Sequence, residues 1–86
     1  MTPSHKLTAA EARRQIQYGA EASARYGAYA LADARSASAE YPQISFDEFY
    51  AILVRCGATG GYAKEAIRNA WNRTRGGSGS PRIDAP

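Results

Sequence analysis

Apolar residues between positions 45 and 75 recur at the spacing of two amphipathic helices. Ser45 and Glu48 have the spacing of a capping box, and Gly57 is placed to end a helix in the left-handed conformation. At 100° per residue, one face of the segment between them collects its apolar residues. These are Phe46, Phe49, Tyr50, Ile52, Leu53 and Cys56. The pattern predicts an amphipathic helix that ends at Cys56.

A second helix is predicted from Thr59, or from the Gly60-Gly61 pair, to about Arg75, before Gly76 and Gly77. Its apolar face is formed by Tyr62, Ala63, Ala66, Ile67, Ala70, Trp71 and Thr74. A helix, a glycine-rich turn and a second helix resemble the general helix-turn-helix layout, in which the second helix can enter the major groove of DNA.

The first half of the chain is predicted to be one long helical stretch. Thr8 with Glu11 forms a second capping box, and Pro42 stops the stretch near Glu40. The helix is either continuous or bent near a glycine, at position 19 or 27. One side carries a small-residue seam, which allows close approach of another helix. The seam consists of Ala12, Ile16, Ala20, Ser23, Gly27, Ala30 and Ala34.

These elements predict an all-α fold. We expect a small bundle of three helices, or four if the first helix breaks, with a helix-turn-helix-like C-terminal pair. Residues 1–75 would form a single helical domain with a flexible leader at 1–7, followed by a flexible Gly/Ser/Pro tail at 76–86. The predicted core contains Ile16, Leu31, Phe46, Phe49, Tyr50, Leu53, Ile67 and Trp71.

Charge is distributed unevenly along the chain of 86 residues, although the net charge is only +3. Residues 1–54 contain five Lys/Arg and six Asp/Glu, whereas residues 55–86 contain six and two. Asymmetry of this kind is a hint of a nucleic-acid-binding face on a small basic protein.

Other functional classes find little support in the sequence. The single cysteine, Cys56, fits a reducing compartment, and its place on an apolar face predicts a small core residue. No hydrophobic run reaches membrane-spanning length, so we expect a soluble cytoplasmic protein without a membrane partner. His5 is the only histidine, which predicts no metal site and no cofactor. Because no nucleophile and base are paired, we expect a protein that is not an enzyme.

Nucleic-acid binding through the last helix and the turn before it is the first functional hypothesis. Cationic side chains would bind phosphates, asparagines would reach base edges, and glycine amides would face an anion. The candidates are Lys64, Arg68, Arg73 and Arg75 for phosphates, Asn69 and Asn72 for bases, and Gly60 and Gly61 for the amides. The alternative interpretation is an ordinary solvated helix, in which the glycines only supply positive φ to a tight turn.

A protein-binding adaptor or inhibitor, of the kind that mobile genetic elements encode, is the second hypothesis. Its interface would contain Tyr18, Tyr26 and Tyr29, because tyrosine and arginine dominate interface hot spots. The same tyrosines could instead pack at the edge of the core or stack on single-stranded bases. Together with the small-residue seam they also permit a homodimer.

Overall fold

The computed structural model describes residues 7–76, and within them the chain forms four helices and no strand. The helices are α1 (Ala9–Arg25), α2 (Ala30–Glu40), α3 (Phe46–Cys56) and α4 (Lys64–Gly76). The predicted all-α fold is confirmed in its four-helix form. Leu7 is the last residue of the predicted leader and Gly76 the first of the predicted tail, and both contact the helical domain or belong to it. Gln43 Nε2 donates to the Leu7 carbonyl at 2.7 Å, and Gly76 is the last residue of α4. The remainder of both segments, with His5, lies outside the described residues.

The long first helix breaks at residues 26–29. Gly27 has a φ of 115° and Ala28 a φ of 59°, neither of which an α-helix contains. The Ala28 amide donates to the Ser23 carbonyl, and the Tyr29 amide donates to the Ser23 hydroxyl oxygen. One serine therefore accepts two amide N–H groups that the break leaves without helical partners.

The predicted capping residues are confirmed. Thr8 and Glu11 exchange backbone and side-chain hydrogen bonds of 2.9 and 3.1 Å at the start of α1, and Ser45 and Glu48 do the same at the start of α3. Gly57, with a φ of 68°, ends α3. Its amide and that of the following residue donate back to the last turn, which is a Schellman motif.

The fourth helix starts later than the sequence pattern predicts. Gly60 and Gly61 have φ values of 64° and 82°, and the Tyr62 amide donates to the Thr59 carbonyl at 3.1 Å. Two successive left-handed residues form a turn that an α-helix cannot include, so α4 begins at Lys64. Tyr62 is consequently an exposed loop residue and not part of the apolar face of α4.

The helices pair as α1 with α3 and α2 with α4. Arg13 near the start of α1 forms a 3.0 Å ion pair with Glu48 near the start of α3, so these two helices run in the same direction. Ser38 near the end of α2 donates to the Trp71 carbonyl in α4 at 2.7 Å, so the second pair is also parallel. The turns 26–29 and 57–63 meet at the same end of the bundle, because a Cβ on Gly60 would lie only 2.7 Å from the Ala28 carbonyl oxygen. This end is here called the turn end.

The core is built from large residues of α3 and α4 packed on the small residues of α1 and α2. Five of the eight predicted core residues are buried and the other three pack against them partly buried. The buried ones are Ile16, Phe49, Leu53, Ile67 and Trp71, and the partly buried ones are Leu31, Phe46 and Tyr50.

The small-residue seam is buried inside the single chain. Ala12, Ala30 and Ala34 have no exposed surface, and the other seam residues except Gly27 are also buried. The seam therefore allows the molecule's own helices to approach closely, and apart from Gly27 it leaves little surface for a second copy of the chain.

Candidate nucleic-acid interface

Two cations of α4 lie on two aromatic rings of α3. The Lys64 ammonium lies 5.1 Å from the centroid of the Tyr50 ring, and the Arg68 guanidinium lies 5.1 Å from that of Phe46. The two rings stack on each other with centroids 5.8 Å apart and an interplanar angle of 27°. We call the surface formed by Phe46, Tyr50, Lys64 and Arg68 the cation–aromatic face.

This arrangement follows from the way α4 returns along α3. Lys64 and Arg68 are four residues apart and so share one side of their helix, as do Phe46 and Tyr50 on theirs. Because the chain reverses direction between α3 and α4, Lys64 lies over Tyr50 and Arg68 lies over Phe46. The rings hold the cations by cation–π attraction without neutralising them.

Neither cation has an acidic partner within residues 7–76. The ion pair of that part of the chain joins Arg13 to Glu48, away from α4. Lys64 and Arg68 are both exposed. Their charge is therefore available to an anion that approaches from solvent.

Arg75, predicted to bind phosphate, is used differently. Its guanidinium donates to the carbonyls of Ser38 at 3.2 and 3.4 Å, of Tyr41 at 2.9 Å and of Ile44 at 2.9 Å. It also lies 4.3 Å from the centroid of the Trp71 ring, and burial lowers its pKa from the ordinary value. These contacts cap the end of α2, and because a guanidinium has five N–H groups, few of them are left for a phosphate.

The remaining α4 candidates are exposed but do not form one stripe. Asn72 lies one turn beyond Arg68, whereas Arg73 is rotated by about 140° from Arg68 around the helix. Glu65, which is not among the predicted site residues, lies on the outward face next to Asn69 and Asn72. The phosphate-binding candidates on one surface are thus Lys64 and Arg68, with Arg73 on the opposite flank.

The two glycines of the turn differ in their surroundings. A Cβ atom on Gly60 would lie 2.7 Å from the Ala28 carbonyl oxygen, so this glycine is required where the two turns meet. A Cβ on Gly61 would meet nothing within 4 Å. The amides of both donate to no other residue of 7–76, which is compatible with their predicted role toward an anion.

All three predicted interface tyrosines are exposed. The exposed fraction is 73% for Tyr26 and 57% for both Tyr18 and Tyr29. Tyr26 and Tyr29 flank the break at the turn end, while Tyr18 lies about two turns earlier on α1. Tyr62, which the sequence pattern placed in a helix, lies at the turn end with Tyr26 and Tyr29, and its exposed fraction is 45%.

A cleft of about 130 Å³ lies between α1, α2 and α3. It is lined by apolar residues such as Ile16 and Leu53 and by the carboxylates of Asp33 and Glu40. Burial raises the pKa of Asp33, against the lowering effect of a hydrogen bond with Ser23. The described residues contain no cluster of three His, Cys, Asp or Glu side chains able to hold a metal ion.

Cys56 is partly buried against the core, which agrees with its predicted role as a small apolar residue. Burial raises the pKa of its thiol, and the nearby Glu21 carboxylate raises it further. A raised pKa leaves less of the reactive thiolate at neutral pH.

Comparisons with protein-family models, with curated proteins and with solved structures find no match to this chain. Among the described residues, no helix combines the length and the apolar character needed to cross a membrane.

Proposed function

We propose that the protein is a small nucleic-acid-binding protein whose contact surface is the cation–aromatic face with the adjoining first turns of α4. The observation that carries the proposal is the position of Lys64 and Arg68, each 5.1 Å from the centroid of an aromatic ring and neither paired with a carboxylate of residues 7–76. Cations that aromatic rings hold in place, and that no carboxylate neutralises, suit a ligand that offers phosphates.

Each group on this surface has a chemical role in the proposal. Arg68 presents a planar guanidinium that can bind one phosphate through two N–H groups, and Lys64 supplies a compact charge one turn earlier. Asn69 and Asn72 lie outward from these cations and offer amide donors and acceptors to bases. Arg73 adds a phosphate contact from the opposite flank of α4. Arg75 does not take part, because it caps the end of α2.

The distribution of charge supports the same surface. The C-terminal 32 residues contain four more basic than acidic groups, whereas the N-terminal part is close to neutral. A ligand with phosphates would therefore approach α4 preferentially, since the electrostatic term dominates non-specific binding of nucleic acids.

Fluorescence anisotropy with labelled DNA and RNA, single-stranded and duplex, tests the proposal at low salt. The variant Lys64→Ala/Arg68→Ala should bind roughly tenfold or more weakly, because it lacks two cations that would each bind a phosphate. Its matched control is Arg14→Ala/Arg35→Ala, which removes the same charge from exposed positions of α1 and α2. If both pairs reduce binding equally, only net charge matters; if the unmodified protein binds no nucleic acid, the proposal is wrong.

A protein-binding adaptor or inhibitor is the second candidate function. Tyr18 favours it, because it is 57% exposed on α1, whereas the cation–aromatic face is formed by α3 and α4. Arg14 is one turn before Tyr18 on the same side of the helix, and tyrosine with arginine is typical of interface hot spots. Loss of a captured protein partner on Tyr18→Ala, with retention on Lys64→Ala/Arg68→Ala, would favour this function over nucleic-acid binding.

A further inference from the structure

We propose that the turn end binds the unpaired bases of a single strand, which stack on Tyr26, Tyr29 and Tyr62 while Lys64 binds the backbone. The inference rests on the proposed function and narrows it, because it names the strand state of the nucleic acid. It also extends the contact surface from the cation–aromatic face to the two turns.

The fold brings the three tyrosines to one place although Tyr62 is far from the other two in sequence. The turn that contains Gly60 packs directly on the backbone of Ala28, so closely that a Cβ on Gly60 would lie 2.7 Å from the Ala28 carbonyl oxygen. Tyr29 directly follows Ala28, and Tyr62 lies two residues after Gly60. The contact between the turns therefore brings the backbone segments that carry these tyrosines together at the turn end.

The fold itself makes little use of these rings. Tyr26, Tyr29 and Tyr62 are 73%, 57% and 45% exposed, and none belongs to the core cluster or to its partly buried rim. Within residues 7–76 no hydrogen bond involves any of their hydroxyl groups. By contrast, Tyr50 is partly buried and covered by Lys64. Because these three rings contribute little to the core, they are available to contact a ligand.

Charge at the turn end matches the same ligand. Arg25 ends α1, Arg55 lies in the last turn of α3 and Lys64 begins α4, and none of the three pairs with a carboxylate of the described residues. Two carboxylates lie nearby: Glu65 follows Lys64 but lies about 100° further around the helix, and Glu21 lies one turn before Arg25. The turn end thus combines cations with aromatic rings, which is the combination that binds single strands.

A duplex fits this surface less well than a single strand. Bases inside a duplex stack on one another and expose only their edges, so exposed tyrosine rings gain nothing from them. In a single strand the faces of the bases are free, and stacking on an aromatic side chain tolerates any base. Tyrosines on two adjoining turns provide stacking positions for successive bases.

Anisotropy titrations of a fluorescein-labelled thymidine oligonucleotide of about 12 nucleotides, and of a duplex of the same length, test the inference. The key variant is Tyr26→Ala/Tyr62→Ala. We expect roughly tenfold or greater loss of single-strand affinity and little change in duplex affinity. Tyr26→Phe/Tyr62→Phe should retain most of the affinity, because the ring and not the hydroxyl group makes the contact.

Tyr18→Ala is the matched control, since Tyr18 is as exposed as Tyr29 but lies about two turns away from the turn end. It should leave both affinities unchanged. Circular dichroism of each variant confirms that the helices are intact, which the exposure of the three rings leads us to expect.

The outcomes separate this inference from the function on which it rests. If Lys64→Ala/Arg68→Ala weakens binding but the alanine variants at Tyr26 and Tyr62 do not, the protein binds nucleic acid and the inference about stacking is wrong. Equal loss with Tyr18→Ala would also overturn it. If the unmodified protein binds neither DNA nor RNA, both proposals fail; if it binds the duplex as tightly as the single strand, only the inference about single strands fails.

Discussion

Arg75 lies one helical turn after Trp71 on α4, and its guanidinium is 4.3 Å from the centroid of the indole ring. From this position it donates to the carbonyls of Ser38, Tyr41 and Ile44. The end of α4 thereby satisfies backbone acceptors at the end of α2 and in the following loop. A residue that charge patterning assigns to the surface is thus a cap for another helix.

Replacement of Arg75 by alanine is expected to destabilise the fold. The change removes a charged donor from three carbonyls and a cation from the Trp71 ring, so we expect a loss of about 2 kcal/mol in the free energy of unfolding. For a domain of this size that corresponds to a fall in Tm of roughly 10 °C. Urea and thermal denaturation followed by circular dichroism measure both quantities.

Two controls distinguish capping from a general effect of charge. Arg73→Ala removes the same charge from an exposed position of the same helix and should change stability by at most about 0.5 kcal/mol. Arg75→Lys keeps the charge but loses the planar fork, so it should resemble Arg75→Ala. Equal stability of the Arg73 and Arg75 alanine variants would contradict the capping role.

The glycines at positions 60 and 61 should respond differently to alanine. Both have positive φ, so each substitution costs about 1 kcal/mol or more in backbone strain. Only at Gly60 does the new Cβ collide with the Ala28 carbonyl, which adds about 1–3 kcal/mol for overpacking. Urea denaturation of Gly60→Ala and Gly61→Ala measures the difference, and equal losses would mean that the two turns do not touch.

Asp33 should make stability depend on pH. Burial raises the pKa of its carboxyl above the ordinary value of 3.8, so the folded state holds the proton more tightly than the unfolded state. This contribution to stability is complete at pH values below the unfolded pKa and is lost as pH rises through the folded pKa. Asp33→Asn removes the penalty for ionisation, and its Tm relative to the parent should therefore rise as the pH increases above the ordinary pKa of 3.8.

The control for this titration is Asp47→Asn, at an exposed position in the first turn of α3. There the helix dipole favours the negative charge, so the amide should lower the Tm at neutral pH. A Tm difference between Asp33→Asn and the parent that is constant across the pH range would show that Asp33 does not titrate differently on folding.

Salt dependence should separate phosphate binding from stacking. For a single strand, the slope of log affinity against log salt changes by about 0.7 for each phosphate that the protein no longer neutralises. Lys64→Ala/Arg68→Ala should therefore flatten the slope by about 1.4, whereas Tyr26→Ala/Tyr62→Ala should lower the affinity at an unchanged slope. Anisotropy titrations at several salt concentrations give the slopes, and a flattened slope in the tyrosine variant would argue against stacking.

Local sequence rules predicted the features that depend on neighbours a few residues apart. The pairs Thr8 with Glu11 and Ser45 with Glu48 cap their helices as expected, because each interaction spans three residues. Gly57 ends α3 for the same reason. The all-α class and five of the buried core residues followed from periodicity, which reports on one face of one helix at a time. Ile44 and Ile52 are also buried but were not among the predicted core residues.

Features that join distant parts of the chain were not predictable in this way. Nothing near Arg75 in sequence indicates that Ser38 will lie beside it, and the contact of Gly60 with Ala28 likewise joins two separate turns. The break near Gly27 was one of the two predicted bends, but Ala28 adopts a positive φ that alanine rarely adopts, so its residue type did not indicate that it belongs to the turn. In the candidate site, Lys64 and Arg68 therefore have aromatic rings as partners. Arg75 does not belong to this site, because it donates to backbone carbonyls of and after α2.

The pairing of α1 with α3 and of α2 with α4 has a consequence for how the chain acquires its structure and how it unfolds. Each half of the sequence contributes one helix to each pair, so neither half contains a complete pair of its own. We therefore expect one all-or-none transition, and no independently folded fragment from either half. A ligand bound at α4 would accordingly protect amide hydrogens as far away as α1 from exchange with solvent, because both helices open in the same event.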